Sequence, residues 1–200
     1  MKDMRKTLLL MTFLLGCLPL MAQAPVCLEG PERAKAIEKI LKTNDIRTSL
    51  QFRFVMTRHS TLLTENLVSR GRAHYIYPDK VRWEVEQPRP SVFVLNGETS
   101  TDRRQQTLMR NVSKIAEKGL VNETDFNVTV YQTPRQWQFD LVPLRRDLSQ
   151  LFSLISLLAD PATGELRSIV LTETSGDITS LELSSLVKGQ PIDEALFRQP

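Results

Sequence analysis

Residue types that do chemistry in enzymes are few and scattered in this chain. The two histidines, His59 and His74, have no acidic residue at a spacing typical of a metal or catalytic motif. The sequence has no CxxC or HExxH motif, no GxSxG elbow and no glycine-rich phosphate loop. We therefore predict that the protein is not an enzyme and uses no metal or cofactor. One alternative stays open, because folding could bring two of four carboxylates together: Asp102, Asp140, Asp177 and Glu182.

The composition is that of an ordinary globular chain. Of the 200 residues, 41% are apolar and 24% are charged, which excludes a disordered or collagen-like polymer and favours one domain. The net charge of +3 and the pI of 9.0 could suit a nucleic-acid partner. However, basic and acidic residues are interspersed, and no basic tract could follow a phosphate backbone. We predict no nucleic-acid binding.

The first 24 residues have the pattern of an export signal. A cationic start is followed by the apolar run Thr7–Leu15 and by Ala22-Gln23-Ala24. We expect cleavage after Ala22 or Ala24, which leaves one domain over residues 25–200 with Cys27 as its single thiol and no internal disulfide. A retained membrane anchor is disfavoured because the run is short. A second alternative is lipid attachment at Cys17, because Leu14 to Cys17 resembles a lipoprotein cleavage box.

The elements that must position any site are mostly strands. A helix is predicted from Pro31 to Asn44, where apolar residues recur at helical spacing. Beyond it, apolar and polar residues alternate, which predicts antiparallel strands between turn signals such as Asn96-Gly97. A second helix is predicted at Met109–Leu120, with a loop as the alternative, and Leu148–Leu158 is interpreted as a strand although a helix fits equally. The predicted strands include Leu50–Met56, Val81–Val85, Phe126–Val130, Trp137–Leu141, Leu166–Glu173 and Ile178–Leu183.

Each predicted strand has one apolar and one charged face. Two sheets packed as a closed sandwich would bury those apolar faces in a solid core. A single curved sheet would instead line a hollow that could accept a greasy ligand. The alternation alone leaves both arrangements open.

One stretch resembles a known family. The residues from Gly71 to Pro88 (GRAHYIYPDKVRWEVEQP) continue into the apolar strand and glycine turn Val92–Gly97. The order of glycine, aromatic-rich strand, Pro-x-x-hydrophobic-Arg-Trp, Gln-Pro and apolar strand resembles the bacterial outer-membrane lipoprotein carrier proteins, the LolA family. Weaker similarities occur before and after this stretch, in the same order as in the family, at Leu50–Phe54, Phe139–Pro143, Phe152–Ile169 and Gly176–Phe197.

The resemblance implies a mainly β fold, an unclosed antiparallel β-barrel or strongly curved sheet covered by lid helices. It implies a monomeric periplasmic carrier without a cofactor, which takes acylated lipoproteins from an inner-membrane ABC transporter to an outer-membrane acceptor. An outer-membrane-anchored acceptor or an envelope sensor of the same fold is the alternative. Trp83 matches the family's cavity tryptophan. By strand parity we add nine inward-facing candidates: Phe52, Phe54, Met56, Val81, Val85, Phe139, Leu141, Leu181 and Leu183.

The chain departs from the family pattern in three places. The family has an arginine before the first proline, which is thought to hold the lid closed, whereas this chain has Tyr77. A phenol has one donor where a guanidinium has five, so Tyr77 is a candidate for a weaker latch. The segment Glu98–Gln106 is polar where the family is aromatic, and the family's C-terminal extension after Phe197 is missing. The last two departures bear on how partners dock.

Overall fold

A computed structural model of the protein describes residues 24–97, 99–100 and 118–198. All eleven strands in this part of the chain belong to one sheet, and every pairing between neighbours is antiparallel. The spatial order is β1-β7-β8-β9-β10-β11-β2-β3-β4-β5-β6. The sheet is not closed, since β1 and β6 lie at its two edges. The strands are β1 (Val26–Cys27), β2 (Ser49–His59), β3 (Leu67–Ile76), β4 (Lys80–Gln87), β5 (Ser91–Asn96), β6 (Thr99–Ser100), β7 (Phe126–Gln132), β8 (Trp137–Pro143), β9 (Phe152–Ala159), β10 (Leu166–Glu173) and β11 (Ile178–Lys188).

This arrangement confirms the predicted fold class, a mainly β chain built on an unclosed antiparallel sheet. The sandwich alternative is wrong, because the described strands form one sheet and not two. The strand interpretation of Leu148–Leu158 is largely confirmed by β9. Its first residues instead belong to the short helix α2 (Arg146–Ser149).

Helix α1 (Gly30–Thr43) covers one end of the inner face of the sheet. Its first turn has the proline and acidic residue that favour a helix start, and its last turn has Lys42. The buried side chains of Ala36 and Ile40 pack against β7, β8 and β9. The main core therefore lies under α1, at one side of the sheet, and not along its whole length. Its largest fully buried members are Ile40, Phe126, Val130, Phe139, Leu141 and Leu148.

The C-terminal segment covers part of the outer face of the sheet. A 3₁₀ turn, Glu194–Phe197, follows β11, and Phe197 is buried there. Val94 in β5 projects to this face and is also fully buried. The guanidinium of Arg82 donates a hydrogen bond of 2.9 Å to the carbonyl of Leu196, and Lys80 pairs with Glu194 at 3.0 Å. The sheet thus has a small second apolar layer behind β4 and β5.

Some sequence predictions concern residues that the structure does not describe. The signal segment lies there except for Ala24, as do Cys17, residues 109–117 of the second predicted helix and most of the polar segment after Gly97. The predicted end of that helix is described, and Gly119 there has a φ of 92°, the left-handed conformation typical of a helix C-cap.

Candidate functional site

All ten predicted cavity residues lie on the inner face of the sheet, the face that also carries α1. The strand register fixes this, since residues paired across neighbouring strands project to the same side. Leu181 is paired with Met56 and Leu183 with Phe54. On one side, successive strand pairs connect Leu181 to Ile169, Leu157 and Phe139. On the other side, they connect Phe54 to Gly71 and Val85.

An aromatic cluster occupies the inner face of β2 and β4. The rings of Phe54 and Trp83 are stacked, with centroids 4.1 Å apart and planes 23° apart. Phe52 contacts Trp83 edge to face at 6.1 Å. The intervening strand β3 presents only Gly71 and Ala73 at the paired positions, which leaves room for these rings.

Gly71 is required by this close packing. A Cβ at this position would lie 1.9 Å from the carbonyl oxygen of Glu84 and 2.8 Å from Cζ of Phe54. Phe54 is paired with Gly71 and lies across it, where another residue type would place its own side chain. The sequence marks Gly71 only as part of the family resemblance, and its contact with Phe54 is visible only in the fold.

Burial divides the predicted residues into two groups. Phe139 and Leu141 are 0% and 2% exposed and belong to the closed core under α1. Phe54 and Val81 are also buried, Phe54 in contact with Trp83 and Val81 in a small cluster with Phe93 and Leu95. The other six are partly buried and lie side by side next to the main core, with Leu183 packed against it. We call these six the apolar strip: Phe52, Met56, Trp83, Val85, Leu181 and Leu183.

Two hollows lie at the described part of the sheet, and neither coincides with the apolar strip. A hollow of about 530 Å³ lies at β4 and β5, lined by Arg82, Glu84, Val85, Glu86, Pro90, Ser91 and Val92. A second one of about 190 Å³ lies beside the end of α1, lined by Leu41, Asn44, Asp45, Ile46, Arg47, Lys118, Gly119 and Leu120. Of the strip residues, only Val85 contributes to either hollow.

Tyr77, the candidate latch, precedes Pro78 in the turn between β3 and β4, and the peptide bond between them is cis. Its side chain is partly buried, and within the described residues its hydroxyl forms no hydrogen bond. The neighbouring Tyr75 hydroxyl does donate one, at 3.4 Å, to the carbonyl of Pro78. The latch role of Tyr77 stays a prediction.

A charged cluster lies on the outer face, directly behind the aromatic rings. The carboxylate of Glu84, whose side chain is 10% exposed, accepts hydrogen bonds from the guanidinium groups of Arg72 and Arg82. Burial raises the pKa of Glu84, but the hydrogen bonds from the two arginines outweigh it and hold the pKa below its ordinary value. Burial lowers the pKa of the adjacent His74, whose Nδ1 has no hydrogen-bond partner. This cluster supports the strand that holds Trp83.

The open carboxylate alternative gains no support from the described residues. Asp140 accepts hydrogen bonds from Ser156 and Gln138, and Asp177 is paired with Arg58 at 2.9 Å. Asp140 and Glu182 lie on strands β8 and β11, three strands apart, or about 14 Å. Asp102 lies outside the described residues. In the same part of the chain, no cluster of three metal-ligating side chains occurs and no helix is long and apolar enough to cross a bilayer.

Comparison with known proteins places the chain in a family. Residues 47–200 match the model of the outer membrane lipoprotein carrier protein LolA, which spans most of the chain. The chain belongs to the LolA family. This is a family of carrier proteins and not of enzymes. A curated relative, the outer-membrane lipoprotein carrier protein of Pseudoalteromonas translucida strain TAC 125, is 25% identical over 134 residues. That match spans 60% of this chain and 61% of the relative, so the chain covers about three fifths of the relative's length.

Some solved structures also show limited similarity to this LolA-family chain. A LolA superfamily protein from Nitrosomonas europaea is 11% identical with a TM-score of 0.44, covering 83% of this chain and 97% of that one. MucB from Pseudomonas aeruginosa, solved in complex with MucA, is 14% identical with a TM-score of 0.45. The similarity covers 84% of this chain and 61% of the other.

Proposed function

We propose that this protein is a periplasmic carrier that binds the acyl chains of lipoproteins on its inner sheet face and moves them from the inner to the outer membrane. The observation that carries the proposal is the apolar strip, six partly buried apolar side chains on the inner face of an unclosed sheet. Membership in the LolA family supports the same assignment. The expected partners are acylated lipoproteins, an inner-membrane ABC transporter and an outer-membrane acceptor.

The physical demand on such a carrier is moderate affinity. Each buried methylene contributes roughly 0.8 kcal/mol, so exposing a long acyl chain to water costs on the order of 10 kcal/mol. A deep, permanently open cavity would bind the chain too tightly to release it. A site that rearranges to take the chain would bind it less tightly, because part of the binding free energy would be used for that rearrangement.

The composition of the strip suits an acyl chain. Trp83 and Phe52 offer large flat surfaces, while Met56 is unbranched and adapts to irregular shapes. Phe52 and Trp83 meet edge to face, and both side chains are only partly buried. Phe139 and Leu141 line the same face, but they take no part in the proposal because α1 covers them.

A matched pair of substitutions in β2 tests the proposal. Met56 and Val55 are adjacent, apolar and partly buried, and they lie on opposite faces of the sheet. In copurification with a tagged acylated lipoprotein, we expect Met56→Glu to lose most of the cargo and Val55→Glu to retain it. A Trp83→Glu variant should behave like Met56→Glu. Equal retention by Met56→Glu and Val55→Glu would contradict binding on the inner face.

A membrane-anchored acceptor of the same fold is the second candidate, and it rests on the Leu14 to Cys17 sequence. The intact mass of the protein from its host separates the two. A mass that corresponds to a chain starting after Ala22 or Ala24 supports the soluble carrier. A mass that includes a lipid on Cys17 supports the anchored acceptor.

A further inference from the structure

Large exposed apolar side chains are concentrated at one end of the sheet. In the described part of the chain, eleven such side chains are exposed, and nine of them lie at or next to this end. It is the end where β2, β4, β8 and β10 finish and where β3, β5, β9 and β11 begin. The two exceptions, Val26 and Val187, lie at the opposite end. A monomeric protein rarely gathers its exposed apolar surface in this way without a use for it.

The most exposed of these apolar side chains lies in the loop between β2 and β3. Leu62 in that loop is 90% exposed, more than any other large apolar side chain described. Around it lie Leu63, Leu67, Val68 and Ile178, each between 39% and 53% exposed. Further along the same end, Val92, Val142, Leu144 and Leu151 continue the exposed apolar surface. We call these nine side chains the apolar rim.

The leucines of the loop are held outward by an ordered turn. The backbone N–H of Leu63 donates to the carbonyl of Ser60 at 3.1 Å, and that of Thr61 donates to the carboxylate of Asp177 at 3.1 Å. Arg58 donates to the same carboxylate at 2.9 Å. These bonds tie the base of the loop to the turn before β11. The exposure of Leu62 is therefore a built feature of the fold.

The shape of the apolar rim fits a lipid surface better than a protein partner. Leu67 and Val68 are neighbours in β3, so they project to opposite faces of the sheet. A protein partner would cover one face, whereas a bilayer surrounds the hairpin end on both. The apolar rim also follows the ends of eight neighbouring strands from β8 to β5, an arc of roughly 30 Å at the usual strand spacing.

Some charges along the apolar rim are paired within the protein, whereas the exposed side chains of Arg70, Arg89 and Arg146 form no ion pair among the described residues. Arg58 is paired with Asp177 and Glu173, and Arg145 with Asp147 and Asp125. An anionic surface would be recognised by an unpaired basic cluster. The three unpaired arginines are spread along this end of the sheet, with Glu65 among them, and form no such cluster. The arrangement instead fits insertion of apolar side chains among lipid headgroups, driven by burial of hydrocarbon.

The apolar strip ends at the apolar rim. Met56 is three residues from His59, the last residue of β2, and the loop leucines follow directly. We infer that the apolar rim is the surface with which this protein rests on a phospholipid bilayer, the β2–β3 loop inserted among the headgroups. This inference rests on the proposed carrier function in one respect: contact of the rim with a bilayer would bring the Met56 end of the acyl-chain site close to the membrane where cargo is exchanged.

Vesicle flotation tests the inference. The purified protein is mixed with phosphatidylcholine vesicles, and the fraction that floats with them is measured. We expect the double variant Leu62→Ser/Leu63→Ser to partition at least tenfold more weakly than the parent. The matched double variant Val26→Ser/Val187→Ser, at the opposite end of the sheet, should partition like the parent. The inference would be overturned if the parent does not float, or if all three proteins float equally. Equal flotation is the result expected if the protein binds vesicles through its N-terminal apolar run instead.

Tryptophan probes test the orientation separately. Trp replaces Leu62, Leu144 or Val187 one at a time, and fluorescence is measured with vesicles of brominated phosphatidylcholine. Trp83 and Trp137 contribute the same background in all three variants. Quenching above the parent for Leu62→Trp and Leu144→Trp, but not for Val187→Trp, supports the inference, and equal quenching in all three overturns it.

The same variants separate this inference from the carrier function. In copurification with a tagged lipoprotein, Leu62→Ser/Leu63→Ser should keep its cargo, and Met56→Glu should lose it while still floating with vesicles. If Leu62→Ser/Leu63→Ser floats as well as the parent, only the inferred membrane contact is contradicted. If Met56→Glu retains cargo, only the proposed acyl-chain binding face is contradicted.

Discussion

The rings of Phe54 and Trp83 stack with their centroids 4.1 Å apart, across a strand whose residue at this position is a glycine. Phe54 is buried and Trp83 is partly exposed, so the first ring fixes the position of the second. This pair joins the scaffold of the sheet to the surface that we propose for acyl chains. Trp83 has a rigid support without being locked inside the main core.

Gly71→Ala should disturb this support. The added Cβ would lie 1.9 Å from a backbone oxygen that cannot move aside easily and 2.8 Å from the ring of Phe54. We expect a loss of about 1–3 kcal/mol in the free energy of unfolding, together with a change in the near-ultraviolet circular dichroism of the aromatic cluster. Ser69→Ala, on the same face of the same strand, is the control. An unchanged unfolding midpoint for Gly71→Ala would contradict the close approach.

The two tryptophans should separate cargo binding from stability. Trp137 is buried in the main core, where it contacts Phe139 at 6.3 Å and lies under the Lys39 ammonium. Trp137→Ala should cost about 3–5 kcal/mol of stability, while the remaining folded protein still retains lipoprotein. Trp83→Ala should cost less stability and lose most cargo retention. Denaturant unfolding and copurification measure the two effects, and the reverse pattern would place the binding face under α1.

Glu84 should make stability depend on pH in the acidic range. Its pKa is held below the ordinary value of 4.5, so the folded protein binds that proton less readily than the unfolded chain. The stabilising effect is complete above the unfolded pKa and is lost as the pH falls through the folded one. Glu84→Gln should lower stability at pH 7 and weaken the loss between about pH 5 and pH 3. Parallel curves of unfolding free energy against pH for the parent and Glu84→Gln would contradict this assignment.

Period-two alternation was enough to predict most strands and the shared face of the ten candidates, because alternation is a local property of the chain. It could not predict which of them α1 covers. Phe139 and Met56 both project from the inner face of the sheet. Phe139 nevertheless lies in the closed core, and Met56 lies in the apolar strip. That difference depends on where α1 packs, a contact between residues that are distant in the sequence.

Three other features were also out of reach of local patterns. The buried state of Glu84 and Val94 depends on the strand pairings and on the C-terminal segment that folds over the outer face of β4 and β5. The residues Arg146–Ser149 form one helical turn before β9, too short to give a period of their own. The gathering of exposed apolar residues at one end appears only when the strand order brings distant loops together.

Asn44 tests how α1 is fixed over the core. Its side chain is 5% exposed, and its amide donates hydrogen bonds to the carbonyls of Ile40 at 2.8 Å and Gly164 at 2.7 Å. Its oxygen accepts one from the N–H of Leu166 at 3.0 Å. Asn44→Asp keeps the acceptor, loses both donors and turns a carboxylate toward two carbonyl oxygens. We expect a loss of about 2–5 kcal/mol at pH 7, since buried partners are left unpaired.

The pH dependence of that variant gives a second readout. Burial beside two carbonyls raises the pKa of the introduced acid, and protonation restores one donor. The stability gap between Asn44→Asp and the parent should therefore shrink as the pH falls from 7 to about 4. Asn127→Asp, on an exposed position of β7, should change stability by less than about 0.5 kcal/mol throughout. A gap that stays constant with pH would mean that the amide donors of Asn44 do not hold the end of α1 to the turn between β9 and β10.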